Sequence, residues 1–177
     1  ILVTGHFGVW EIMVAWFGLN QYSMLAVGQK QKNSGADIFV NQLRENAWIK
    51  MIPRKSSLEF MYEGLANNRI LTLASDQDAK KRGIFVKFFS LPASTPKGAA
   101  RFHLECGSPL IFVTCHLEKP NNHVLDILPV PADSNSNIET ITQSFTLMLE
   151  KIITDYPEQY FWFHRRWKTK PPQTEST

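Results

Sequence analysis

Ile1-Leu2-Val3-Thr4-Gly5-His6-Phe7-Gly8-Val9-Trp10-Glu11 opens the chain. Residues 1–4 form an apolar run that predicts a strand. Residues 9–19 predict a helix. Gly5 and Gly8 supply the backbone freedom for the turn between them. That turn carries a histidine and, five positions on, a carboxylate. On a continuous helix five residues rotate a side chain by roughly 500°, well off a shared face. His6 and Glu11 can therefore meet only if His6 lies in the loop and Glu11 on the helix. A carboxylate that holds one imidazole nitrogen leaves the other free to take a proton from a hydroxyl. No matching serine or cysteine nucleophile accompanies the pair. The chemistry expected is direct: His6 activates an acceptor alcohol, which itself attacks a carbonyl.

The strand-then-helix pattern repeats outward from this stretch. Strands are predicted over 1–4, 24–27, 48–52, 70–74, 110–116 and 124–130. Helices are predicted over 9–19, 36–46, 58–67, 97–106 and 138–155. Such alternation predicts an α/β fold: a single domain with a largely parallel central sheet flanked by helices. Only Lys119-Pro120-Asn121-Asn122 separates the last two strands, so that edge is expected to be antiparallel. Pro157 ends the long closing helix, and residues 171–177 form a polar tail expected to be disordered.

The 177 residues are enough for one domain with a real core. Nineteen basic against sixteen acidic residues give a net charge of +3, too weak a bias for a nucleic-acid binder. The two cysteines, Cys106 and Cys115, show no metal or disulfide spacing and are expected to be reduced thiols. No apolar run reaches membrane-spanning length, and no signal peptide is visible. The chain opens inside a strand without an initiator methionine, as an excised core would.

Ser75-Asp76-Gln77-Asp78 follows the fourth strand, as His6 follows the first. Ligands of open α/β sheets gather beyond the carboxyl ends of the strands, so both clusters are expected on one edge. Asp76 and Asp78 read as a solvated turn, a helix cap or, with further oxygens, a magnesium site. Arg54, just past the third strand, reads as a phosphate ligand, a carbonyl-polarising charge or a solvated loop residue. Ser94 or Thr95 before Pro96 is a helix-start signal, with free N–H groups suited to an anion or to nothing more than a cap. Phe85, Phe88 and Phe89 read as an acyl-chain groove or as core. In Pro157-Glu158-Gln159-Tyr160-Phe161-Trp162-Phe163-His164-Arg165-Arg166-Trp167-Lys168, aromatics abut cations. Such a segment suits a phosphorylated glycolipid at a membrane interface, or a packed aromatic stretch with a solvated basic end.

Taken together, residues 6–11, 76–78, 85–89, 92–98 and 157–168 resemble the lipid A biosynthesis lauroyl/myristoyl acyltransferases, within the lysophospholipid acyltransferase superfamily. The first motif is shared across that superfamily; the closing string is far more specific to the lipid A branch. The resemblance covers nearly the whole chain and implies a glycerolipid acyltransferase-like fold, with an acyltransferase domain over 1–170 truncated at its N-terminus. It implies transfer of a fatty acyl group from an acyl carrier protein thioester to a hydroxyl of a lipid A precursor. The setting would be the cytoplasmic face of the bacterial inner membrane. His6 and Glu11 carry over as the catalytic dyad. Arg54, Asp76, Gln77, Asp78, Arg165, Arg166 and Lys168 are the expected substrate-binding residues. No metal or organic cofactor is implied, and nucleic acid is not an expected partner. The family's N-terminal membrane-anchoring helix does not occur in this stretch. A related branch acylates phosphatidylinositol mannosides. A catalytically silent lipid-binding module is the reading from a different class.

Overall fold

The computed structural model describes residues 1–45 and 47–172. The elements run β1 (Leu2–Thr4), α1 (Trp10–Leu19), β2 (Met24–Gly28), α2 (Ser34–Arg44), β3 (Ile49–Pro53), α3 (Leu58–Ala66) and β4 (Ile70–Ala74). They continue with β5 (Ile84–Phe88), β6 (Leu91–Thr95), α4 (Gly98–Cys106), β7 (Ile111–Lys119), β8 (Asn122–Pro129) and α5 (Ile138–Asp155). Six strands form one sheet in the order β3-β2-β4-β1-β7-β8. Five of them run parallel, and β8 folds back antiparallel on β7, as its short connection predicts.

Alternate strand residues face opposite sides, which is why these short strands are apolar throughout. Leu2, Met24, Ala26 and Val113 meet Met13, Val14 and Phe17 of α1 on one face. Val3, Leu25, Leu71 and Phe112 meet Met61 of α3, Phe102 of α4 and Phe145 and Leu149 of α5 on the other. The largely parallel sheet between helices is the fold the periodicity predicts.

The helix start expected at Ser94 or Thr95 is not there. Residues 84–95 form a separate antiparallel hairpin, in which Phe85 faces Ser94 and Val86 faces Ala93. Its two-residue turn, Phe89-Ser90, holds both residues at positive φ, 48° and 64°. Those angles match the twist of a tight hairpin, but the turn lacks the asparagine or glycine that usually announces one. Ser94 donates its hydroxyl to the Lys80 carbonyl rather than capping a helix. α4 begins three residues after Thr95, behind Lys97, with no side-chain cap.

The second helix starts two residues before its expected position because Asn33 caps it, accepting from Ala36 N at 3.0 Å. Its expected last residue, Asn46, lies outside the described residues, as does the part of the expected disordered tail from 173 onward. α5 occupies its predicted span and begins with a reciprocal Asn137–Thr140 capping box. Among the described residues, no helix is long and apolar enough to cross a membrane.

Candidate active site

The carboxyl ends of β1, β2, β3 and β4 converge on a cavity of about 530 Å3. His6, Glu11, Arg54, Ser75 and Gln77 line its polar part, and Met13, Val14, Met51, Leu58 and Met61 its apolar part. A smaller cavity of about 230 Å3 adjoins it, sharing Gly28, Gln29, Gln31, Arg44 and Met51 as wall.

The turn that presents His6 is pinned from two sides. Val9 N donates to Cys115 O at 2.7 Å, Gly8 N to Gln159 O at 2.8 Å, and Phe161 N to His6 O at 3.0 Å. Gly8 sits at φ +59°, and a Cβ there would lie 2.0 Å from the Cys115 carbonyl oxygen. Only glycine fits a turn laid so closely on β7.

The carboxylate on His6 belongs to Asp76, not Glu11. His6 N donates to Asp76 Oδ2 at 3.0 Å, and His6 Nδ1 lies 2.8 Å from Asp76 Oδ1. With Nδ1–H donated to that carboxylate, Nε2 is left as the free acceptor. The sheet register accounts for the pairing. β1 and β4 are parallel neighbours with Thr4 opposite Ala74, so two residues further on His6 stands beside Asp76. Glu11 instead accepts from Arg44 Nε at 2.9 Å, from a second Arg44 nitrogen, and from Trp10 Nε1 at 3.1 Å. A guanidinium fork is the stronger partner for a carboxylate on the first turn of α1.

Burial pushes the His6 pKa down, but the hydrogen bond and charge of Asp76, with a smaller push from Glu11, outweigh it and the opposing Arg44 charge. The pKa ends above its ordinary value. For Glu11, the Arg44 hydrogen bond outweighs burial and holds the pKa below its usual value. Tyr160 is buried behind the pair. Burial first, then the nearby charge of Asp76, pushes the phenol far above its usual range against the smaller opposing charge of Arg166.

The structure brings Arg54 and Gln77 to the wall of the His6 cavity. Asp78 faces away from it. Its N–H donates to His164 Nε2 at 2.8 Å, and its Oδ2 accepts from Thr169 Oγ1 at 2.9 Å. Consecutive residues of an extended turn point in different directions, so the three did not stay together. Arg166 is also placed away from the surface expected of it. Only 2% exposed, it donates to the Ser94 carbonyl at 2.8 Å and to Thr95 Oγ1, with its guanidinium 5.2 Å over the Phe88 ring. Arg165 and Lys168 are exposed. Phe85, Phe88 and Phe89 do not line the cavity. Phe88 is fully buried against Phe89, Tyr160 and Trp167, so its ring belongs to the core beneath the hairpin.

Asp76 as the histidine's partner, Tyr160 behind it and Arg44 on Glu11 were not legible as such. The available signal was that 4–6 and 74–76 are two strand ends of equal overhang, which needs the β1–β4 pairing to be known. Among the described residues, no group of three or more histidine, cysteine, aspartate or glutamate side chains could hold a metal ion.

An imidazole held by a buried carboxylate, at the carboxyl edge of a mostly parallel sheet and over a partly apolar cavity, is the candidate site of this α/β protein. The profile of the bacterial lipid A biosynthesis acyltransferase family matches residues 1–169, and the chain belongs to that family. It is 28% identical over 179 residues to the lipid A biosynthesis lauroyltransferase of Escherichia coli K12, covering 97% of this chain and 56% of the relative. It is 26% identical over 178 residues to the lipid A biosynthesis acyltransferase of Haemophilus influenzae, covering 98% and 57%. To a phosphatidylinositol mannoside acyltransferase of Mycobacterium tuberculosis it is 22% identical over 171 residues, covering 94% and 54%. The chain thus spans about half the length of the curated relatives it matches.

Proposed function

We propose that the protein is an O-acyltransferase that moves a fatty acyl group from a thioester to a hydroxyl of a glycolipid, with His6 as general base. The observation that carries this reading is the His6–Asp76 pair at the cavity, with Nδ1 engaged and Nε2 free. His6 Nε2 takes the proton of the acceptor hydroxyl as its oxygen attacks the thioester carbonyl. Asp76 holds the ring and stabilises the imidazolium. Collapse of the tetrahedral intermediate breaks the C–S bond, and the imidazolium returns the proton to the leaving thiolate. Arg54 supplies positive charge for the oxyanion from the cavity wall. The apolar cavity wall takes the acyl chain. Glu11 serves through Arg44, as part of the cavity rim and as a second negative charge near His6. No metal or organic cofactor takes part in these steps.

The family and its lipid A relatives support a lipid A precursor as acceptor. The donor in this reading is an acyl carrier protein thioester and the setting the cytoplasmic face of the bacterial inner membrane, as the sequence resemblance implies. Gln77, from the cavity wall, and Arg165 and Lys168, exposed, are the remaining substrate contacts. The mannoside acyltransferase relative supports a second reading, with a phosphatidylinositol mannoside as acceptor. The test is to incubate the protein with acyl-carrier-protein thioesters of several chain lengths and either acceptor, then read product mass. An acylated lipid A precursor is the expected product. An acylated mannoside alone would reassign the acceptor, and no acyl transfer to either would leave a lipid-binding module.

A further inference from the structure

α2 is built inside out for a helix facing water. Its protein-facing stripe is Asp37, Val40, Asn41 and Arg44, spaced i, i+3, i+4 and i+7. Those four residues line the smaller cavity. Its apolar residues point the other way: Ile38 is 58% exposed, Phe39 61% and Leu43 70%. None of the α2 residues is buried. An amphipathic helix in a water-soluble domain turns its apolar stripe inward, so this one is placed for an apolar medium outside. α1, which touches α2 through the Glu11–Arg44 pair, repeats the signal. Its inner residues Met13, Val14, Phe17 and Gly18 are buried, yet its outer positions Ile12, Ala15, Trp16 and Leu19 are apolar too and exposed. Beyond Glu11 in its first turn, α1 has no charged side chain to present to water.

We infer that the outer faces of α1 and α2 insert together into one leaflet of a lipid bilayer, beside the mouth of the His6 cavity. Two observations choose lipid as the occupant. The two helices border that cavity, since Glu11 in the first turn of α1 and Arg44 in the last turn of α2 form part of its wall, next in sequence to the outward-facing Ile12 and Leu43. A glycolipid could then pass from leaflet to His6 without its chains crossing water; this step rests on the acyltransferase reading above. Charge also fits: Lys30 and Lys32, exposed in the loop leading to α2, stand where anionic headgroups would meet the edge of an inserted helix. This surface is distinct from the aromatic-basic segment at 157–168.

The test places an environment-sensitive fluorophore at Leu43→Cys, and as control at Leu147→Cys on α5 across the sheet, both with Cys106→Ser. Vesicles contain phosphatidylethanolamine and phosphatidylglycerol, with or without nitroxide-labelled lipid. The probe at 43 is expected to shift to the blue and be quenched by the nitroxide, while the probe at 147 is not. Phe39→Ser with Leu43→Ser should weaken partitioning roughly a hundredfold, about tenfold for each side chain withdrawn from lipid. Turnover of detergent-dispersed substrates should be unchanged, since neither residue lines a cavity. A probe at 43 that stays in water while the protein is vesicle-bound overturns the inference. So does burial of that probe without vesicles, which would mean a second copy covers the face. His6→Ala separates the two claims. If it inserts normally, insertion stands apart from catalysis, and if the wild type inserts but transfers nothing, only the acyltransferase reading fails.

Discussion

The closing segment, residues 157–169, and the helix pair α1–α2 both expose apolar side chains, Phe161, Trp162 and Phe163 in the one and Ile38, Phe39 and Leu43 in the other, but they differ in what they bury. The closing segment brings polar groups inside: Tyr160 is buried where the charge of Asp76 is felt, His164 and Thr169 hold Asp78, and Arg166 ties the hairpin strand β6. The helix pair turns apolar groups outside. A buried cation is tolerable only where dipoles and an aromatic face replace its water, and the paired hairpin supplies them. A single exposed leucine or phenylalanine is ordinary, but several on neighbouring turns of adjoining helices form a patch that calls for something other than water over it. By residue type alone, the closing segment looks like the membrane-facing part and α1–α2 like ordinary packing helices. Placement takes Arg166 into the interior and leaves the apolar residues of α2 outside.

The comparison can be broken at several points. The largest effect belongs to the residue both regions serve. His6→Ala should lower acyl transfer by about 10²–10⁴ with the fold intact, measured as product formation alongside circular dichroism. Asp76→Asn should approach that loss, because the amide no longer fixes the imidazole tautomer, whereas Glu11→Gln should cost less. Equal loss from Glu11→Gln with little from Asp76→Asn would restore the pairing that the sequence suggests.

A smaller effect separates the cations of the closing segment. Arg166→Gln should destabilise by about 1–3 kcal/mol, since it strips partners from Ser94 and Thr95 in the interior. That corresponds to a melting point lower by several degrees. Arg165→Gln with Lys168→Gln should leave the melting point unchanged and weaken binding to anionic vesicles, most clearly at low salt. Equal melting points for the two variants would place Arg166 back at the surface.

Next comes the pH profile. His6 must be unprotonated to act as base, and its pKa is raised by Asp76 against the effect of burial. The acid limb of kcat/KM should therefore lie above the ordinary histidine value of about 6.5. Asp76→Asn should move what remains of that limb to lower pH, and Arg44→Gln should move it higher. By linkage, the His6–Asp76 contact stabilises the fold fully below the unfolded pKa, and that stability is lost as pH rises through the folded value.

The smallest predicted change is in chain-length preference. Filling the cavity with Met61→Phe should shorten the preferred acyl chain, each excluded methylene being worth roughly 0.8 kcal/mol, or several-fold. Phe85→Leu should leave the profile unaltered. A shift caused by Phe85→Leu alone would return the groove to the hairpin. Exhaustive chelation with EDTA should change nothing; loss of activity restored by a divalent ion would bring Asp76 and Asp78 into a metal site.

Several features were legible because they are written in local periodicity. The apolar runs ending at Thr4 and Ala74, the helix at 138–155 and the short β7–β8 turn each depend on neighbours in sequence. So does His6 as a loop residue, since Gly8 marks the turn that exposes it. The sequence by itself thus determined a mostly parallel sheet with His6 on its carboxyl edge, together with the family. Only the tertiary structure decided that Asp76 rather than Glu11 holds His6, because strand order and register are set by which faces bury best across the sheet. It alone decided that Arg166 is interior, since the hairpin that receives it forms through a turn without the usual residues. It alone showed α2 reversed, because periodicity fixes which residues share a helix face but not which way that face points.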